Sequence, residues 1–287
     1  MRRASLIQKE TNQITTVRDL TGVFESLSSM QVAKIKDKVQ MSEDFFQLLW
    51  QRYSAIRVDP NSRIVNRAKQ LDRNVFVIVS AEAGLSGDID DRLIETMLKD
   101  YDKNTTDLVV LGTHGANQLK DAGIPFVRFF KVPESDTYID VSPVIDAIAP
   151  YNKIKVFYEE YVSLGVQEIK SIDLYSSIQT MSQSATANPE DIMTDKDTIF
   201  EPSLDKIAEI MEKGMMSLAF SQVILESGLA QAASRFNAMA TAKKRAFELI
   251  ALQKLEFHRA KRSESDRRLR ETLISIKKKK RLAEAQR

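Results

Sequence analysis

The chain contains no cysteine, which excludes disulfides, thiolate zinc sites and cysteine nucleophiles. Its two histidines, His114 and His258, lie far apart in sequence and predict no metal cluster. Glycine (9) and proline (7) are scarce among 287 residues, and so few breakers permit long helices. Long apolar runs are missing too. VFVIVSA and LVVLG fall far short of a bilayer span. The opening MRRASLIQKE has no apolar signal core, so a cytoplasmic protein is expected.

What is present is a globular composition, 43% hydrophobic and 29% charged, long enough for one to three domains. The net charge of +2 hides an uneven distribution. Residues 235–287 carry 17 Lys and Arg against 6 Asp and Glu, so this segment is strongly basic and the remainder acidic. A solvated polar helix explains this, as does a partner that is acidic, a nucleic acid or an anionic lipid.

Helical pattern runs from about residue 3 to about residue 57. Val17, Leu20, Phe24 and Leu27 alternate steps of three and four, as a coiled-coil seam does. Gly22 is its weak point, and Asp59-Pro60-Asn61 breaks it. The middle changes period. VFVIVS, LVVLG, GIPFVRFFKV and IKVFYEEYV alternate with helical stretches, DDRLIETMLKDYD and VSPVIDAIAPY, which predicts a small α/β sheet with the apolar strands central. The polar stretch 176–197 reads as a surface loop. A second long helix is expected from Pro202 and Ser203 onward, about 80 residues and roughly 120 Å long. Phe236, Met239, Ala246, Ile250 and Phe257 step by three and four along it, interrupted by Lys243 and Gln253. A lone helix of that length needs a partner for its apolar side. The expected architecture therefore pairs the two ends as a long antiparallel coiled coil, with a small Rossmann-like α/β domain inserted. The expected divisions are 1–58, 59–200 and 201–287, with a flexible loop near 176–198.

No catalytic, cofactor or metal residue is nominated. AGLSGD and GTHGAN lack the full phosphate-loop or dinucleotide spacing and read as strand-to-helix turns. His114 has no evident nucleophile beside it. Glu159 and Glu160 are strand neighbours that point to opposite faces, a poor acid/base pair, and read as a strand end and a solvent contact. The KKKKR run (277–281) reads as a solvated helix end whose cations suit the C-terminal dipole. Nucleic acid or lipid phosphate is the functional alternative.

Motifs along nearly the whole chain resemble the gamma subunits of F-type ATP synthases. They are ITTVRDLTGVFESLSSMQVAKI with its Ala33-Lys34-Ile35 step, SAEAGLSG, LVVLGTHG and VFYEEYVS, and then FEPS, ILES, SRFNAMATAKKRAFELI and LEFHRAK, these last four in the family's order and spacing. The chain departs from that pattern at Glu82-Ala83, at SESDRR (263–268) and in its basic tail. The resemblance implies a non-catalytic central shaft, without cofactor, inside the catalytic ring of alpha and beta subunits. The epsilon subunit and the membrane c-ring would be further partners, and no specific nucleic acid is expected. It implies a peripheral place on the cytoplasmic face of the cell membrane, and the missing transit segment implies a bacterial source. Ring contacts would fall on Leu27, Lys34, Arg259, Lys261 and Arg262, with Leu269, Leu273 and Ile276 as an apolar tip bearing. A shaft of a specialised F-type-like motor doing mechanical work is the alternative that the altered tip and tail raise. A basic coiled coil that binds nucleic acid ranks behind it.

Overall fold

The computed structural model describes residues 3–55, 71–133, 140–174 and 204–285. Its elements, in chain order, are α1 (Ala4–Ala55), β1 (Leu71–Val79), α2 (Ile89–Asp100), β2 (Thr106–Leu111), α3 (Thr113–Asp121), β3 (Arg128–Phe130), α4 (Ser142–Ile148), β4 (Tyr151–Ser163), β5 (Val166–Asp173) and α5 (Leu204–Ala285). Both long helices form as expected, with 52 residues in α1 and 82 in α5. The predicted break at Asp59-Pro60-Asn61, the loop 176–198 and the start at Pro202-Ser203 lie outside the described residues.

The sheet runs β3-β2-β1-β4-β5. Strands β3, β2, β1 and β4 are parallel, and β5 returns antiparallel to β4. The run VQEIKSID of β5 went unread in the sequence. The central strand is β1, whose unbroken apolar run is what burial on both faces requires. Val75, Val77 and Val79 point to one face, where α4, Phe46 of α1, and Met215, Met216, Phe220 and Val223 of α5 cover them. Phe76 and Ile78 point to the other, against Leu93 and Met97 of α2 and Leu119 of α3. Each such side chain contributes roughly 1.5–3 kcal/mol by leaving water. The path steps outward from β1 to β2 and β3, then crosses back to β4 on the other flank of β1. Direction therefore reverses between β1 and β4, at the carboxyl ends of the parallel strands.

The chain divides into two compact units, residues 1–26 with 238–287, and residues 27–237. In the first, α1 and α5 pair antiparallel. Ala4 N donates to Glu264 Oε1 at 3.1 Å, Thr11 Oγ1 to Gln253 Oε1 at 2.9 Å, and Lys243 Nζ to Glu25 Oε2 at 2.7 Å. In the second, Gly228 of α5 faces Ile35 of α1, and Gly214 faces Leu49.

The seam expected on α1 is corrected. Val17, Leu20, Phe24 and Leu27 are 52%, 54%, 38% and 46% exposed. The buried and half-buried line within the first unit is Ala4, Ile7, Thr11, Ile14, Arg18, Thr21 and Glu25, which also steps by three and four. On α5 most of the expected line turns inward: Met239, Ala246 and Ile250 are buried and Phe257 packs with Ala4 and Ile7, joined by Ala260, which was not expected, while Phe236 is half-buried. Lys243 and Gln253 are not interruptions, because each has a polar partner across the seam. Two helices in close contact have room for small residues and paired polar ones, so the more apolar stripe of α1 is not the one turned inward.

Candidate functional site

The candidate contact residues lie on helices, so spacing decides which of them act together. In the first unit, Arg259 and Arg262 are three apart, and Ser263, Asp266, Arg267 and Arg270 continue the same face. These six line one open hollow of about 480 Å³. Lys261 does not line it. Its ammonium lies 6.0 Å over the Phe257 ring. The structure therefore joins two of the three nominated cations to two arginines that were not nominated. The signal for them was the helical face shared by Arg259, Arg262, Arg267 and Arg270, of which Arg267 falls within the SESDRR departure from the family pattern. Glu264, in the same segment, accepts from the first amide of α1 and so places an anion at the positive end of that helix.

Farther along α5, Leu269, Leu273 and Ile276 share one face and are 62%, 58% and 57% exposed. Phe247, over which the Arg18 guanidinium sits at 5.2 Å, is exposed too. On α1, Leu27 and Lys34 are exposed in the second unit. Lys277 and Lys278 of the basic run are exposed.

In the GTHGAN turn the two glycines have a packing reason. Gly112 has φ 98°, and a Cβ there would lie 2.2 Å from Ser80 O. One at Gly115 would lie 2.4 Å from Ser80 Oγ. The two glycines let the β2–α3 turn press onto the end of β1, where Gly115 N donates to Ser80 Oγ. Glu82, one of the departures from the family pattern, accepts from the backbone of Thr113 and of Val132 and ties this turn to the chain beyond β3. His114 is engaged too, its Nδ1 2.9 Å from Asp90 Oδ2. Asp90 also accepts from Ala81 N and Ser86 Oγ.

Glu159 is corrected from a strand end in contact with solvent. It lies inside β4 and is fully buried, while its neighbour Glu160 pairs with Lys170 on the opposite face. Burial first, then the Asp90 carboxylate, push the Glu159 carboxyl well above the usual carboxylate range, with hydrogen bonds from Gln231 and Ser227 acting the other way. Arg235, lowered mainly by burial, spends its guanidinium on the carbonyls of Ala83 and Gly84. Ser227 donates to Val79 O and Ser234 to Ser86 O. The crevice at the reversal point, where open α/β sheets take their ligands, is thus filled by α5. Among the described residues no group of His, Asp and Glu is arranged to hold a metal, and no helix is long and apolar enough to cross a membrane.

The family model described as ATP synthase matches residues 4–271. The ATP synthase gamma chain of Cytophaga hutchinsonii is 22% identical over 268 residues, covering 87% of this chain and 90% of that one. That of Mycoplasmoides gallisepticum is 20% identical over 284 residues, covering 95% and 98%. Among solved structures, a chain of the Euglena gracilis mitochondrial ATP synthase in rotational state 3 superposes with TM-score 0.64 at 12% identity, over 95% of this chain and 94% of that one. A chain of the central stalk and c-ring of Tetrahymena thermophila mitochondrial ATP synthase gives TM-score 0.56 at 14% identity, over 78% and 99%.

Proposed function

The chain belongs to the ATP synthase family, whose model spans residues 4–271, and from that premise we propose that it is the non-catalytic central shaft of an F-type rotary ATP synthase. It couples rotation inside the ring of alpha and beta subunits to ion translocation through the membrane c-ring, with the epsilon subunit beside its foot. Residues 1–58 and 201–287 form the shaft and 59–200 the foot. The complex is membrane-bound and this chain is a peripheral part of it, on the cytoplasmic face. The relatives are named as ATP synthase chains, which favours this role over a shaft for mechanical work.

The observation that carries the reading is the division of labour on the paired helices. Across the seam α1 turns mostly small and paired polar residues, with Ile7, to an apolar line of α5, while Val17, Leu20, Phe24 and Arg259, Arg262, Arg267 and Arg270 stand outside. Such a pair is stiff and presents its adhesive chemistry to a surrounding sleeve. Basic side chains opposite acidic ones attract at long range and with little directional demand, which suits a surface that must turn. Leu27, Lys34, Arg259, Lys261 and Arg262 are the proposed ring contacts, and Leu269, Leu273 and Ile276 the proposed bearing.

The test is co-purification with the alpha and beta subunits encoded in the same genome, recording native mass and ATPase rate. The expected result is three copies of each ring subunit per shaft, no ATPase in the chain alone, and a rate that drops when Arg259, Arg262 and Lys261 are changed to Glu. A chain that stays alone beside assembled rings overturns the reading.

A further inference from the structure

Where β1, β4, α2 and α5 meet, the structure buries two carboxyl groups in one cluster. Asp90 is 1% exposed and Glu159 fully buried, as are Ser80 and Ser227. Asp90 has its needs met by Ala81 N, Ser86 Oγ and the His114 ring. Glu159 does not. Ser227 Oγ reaches its Oε2 at 3.3 Å, and Oε1 has no hydrogen-bond partner. The charged groups around it are few. Asp90 comes from α2, His114 from α3 behind Asp90, and Arg235 from α5. β5 places Ile169 opposite it, and Glu226 of α5 turns to Tyr158. Arg235 is the cation nearest in kind, but it bonds the carbonyls of the 83–84 turn and forms no ion pair with Glu159. A buried carboxylate with no cation, next to a second carboxylate, is costly. A buried carboxylic acid costs less, because it brings no charge out of water and none beside Asp90.

The groups that touch Glu159 from α5 are the ones that seat that helix. Ser227 bonds Glu159 and the end of β1, and Gln231 Nε2 holds Ser227 Oγ at 3.0 Å. One turn on, Ser234 and Arg235 grip the 83–86 turn. We propose that Glu159 is a proton-bearing latch: its neutral carboxyl seats α5 on the head of the α/β sheet, and loss of that proton loosens the seat. The sign follows from linkage. Folding keeps the proton on Glu159 where the unfolded chain would release it, so the docked state is favoured at low pH and weakened as pH rises above the ordinary carboxylate range. The inference rests on residues of the second unit alone and stands or falls independently of the shaft reading.

The experiment is amide hydrogen exchange on the full chain from about pH 6 to about pH 9, expressed as protection factors so that intrinsic exchange cancels. In the wild type, protection of residues 227–237 falls with pH, by at most about tenfold per unit for one proton. In Glu159→Gln, which keeps the shape and cannot ionise, protection stays flat. A flat wild-type profile overturns the proposal. So does a slope that survives Glu159→Gln, or one that vanishes in His114→Gln instead. If the Gln variant does not fold, difference infrared spectra of the wild type decide. A buried protonated carboxyl band that persists through the pH range in which protection falls supports the latch, and its absence there overturns it.

Discussion

At the scale of single residues, the glycines divide by what surrounds them. A Cβ at Gly22 would meet the Lys243 side chain, nearest at Cε, 3.6 Å away, in ordinary contact. Gly22→Ala should therefore raise stability by about 0.5–1 kcal/mol, read from thermal melting, because alanine loses less backbone freedom in a helix. Gly112→Ala should do the opposite. Its φ of 98° and the 2.2 Å approach to Ser80 O leave no place for a methyl group, and a loss of more than about 3 kcal/mol or failure to express is expected. Glu264→Ala should cost about 0.5–2 kcal/mol, since it uncovers the first amide of α1. Gly22 and Gly112 were both visible in the sequence. What separates them, the neighbour each one faces, was not.

At the scale of elements, the two stripes of α1 make opposite predictions. Ile7 is 3% exposed and Leu20 54%. Ile7→Ala should cost about 2–4 kcal/mol of stability, while Leu20→Ser should stay within about 0.5 kcal/mol, both by denaturant unfolding of the chain alone. In the assembled complex the order reverses for binding, and Leu20→Ser should weaken shaft–ring association. Helix existence and extent were legible, because periodicity of three and four and a shortage of breakers are local properties. The inward stripe of α1 was not, because both stripes keep that period and the buried one holds Thr11, Arg18, Thr21 and Glu25. Their suitability for burial depends on Gln253, Phe247 and Lys243 more than two hundred residues away. On α5 the inward stripe is the apolar one, and there the pattern sufficed. Strand β5 was not legible because Val166, Ile169 and Ile172 fall every third residue, without the period of two that marks a half-covered strand.

At the scale of the whole molecule, charge is segregated, and the basic hollow of Arg259, Arg262, Arg267 and Arg270 concentrates it. Changing Arg267 and Arg270 to Glu should weaken association with the catalytic ring at least as much as Lys261→Glu does, and the difference should shrink as salt is raised. Melting of the chain alone should barely move, since these side chains face solvent. Insertion of an α/β layer between two pairing ends was legible because helical period stops at Asp59-Pro60-Asn61, gives way to strand runs, and resumes from Pro202-Ser203. The buried acid of that layer was not, because a glutamate within YEEY carries no local sign of which face will be covered. The pairing of chain ends also bears on synthesis. Ala4 meets Glu264, 260 positions later. A ribosome adding roughly 5–20 residues per second leaves Ile7 without its native neighbours for about 13–50 seconds. During that interval the newborn helix shows apolar side chains on both stripes, so each molecule must be shielded by a chaperone, or by dilution, until its last hundred residues have emerged.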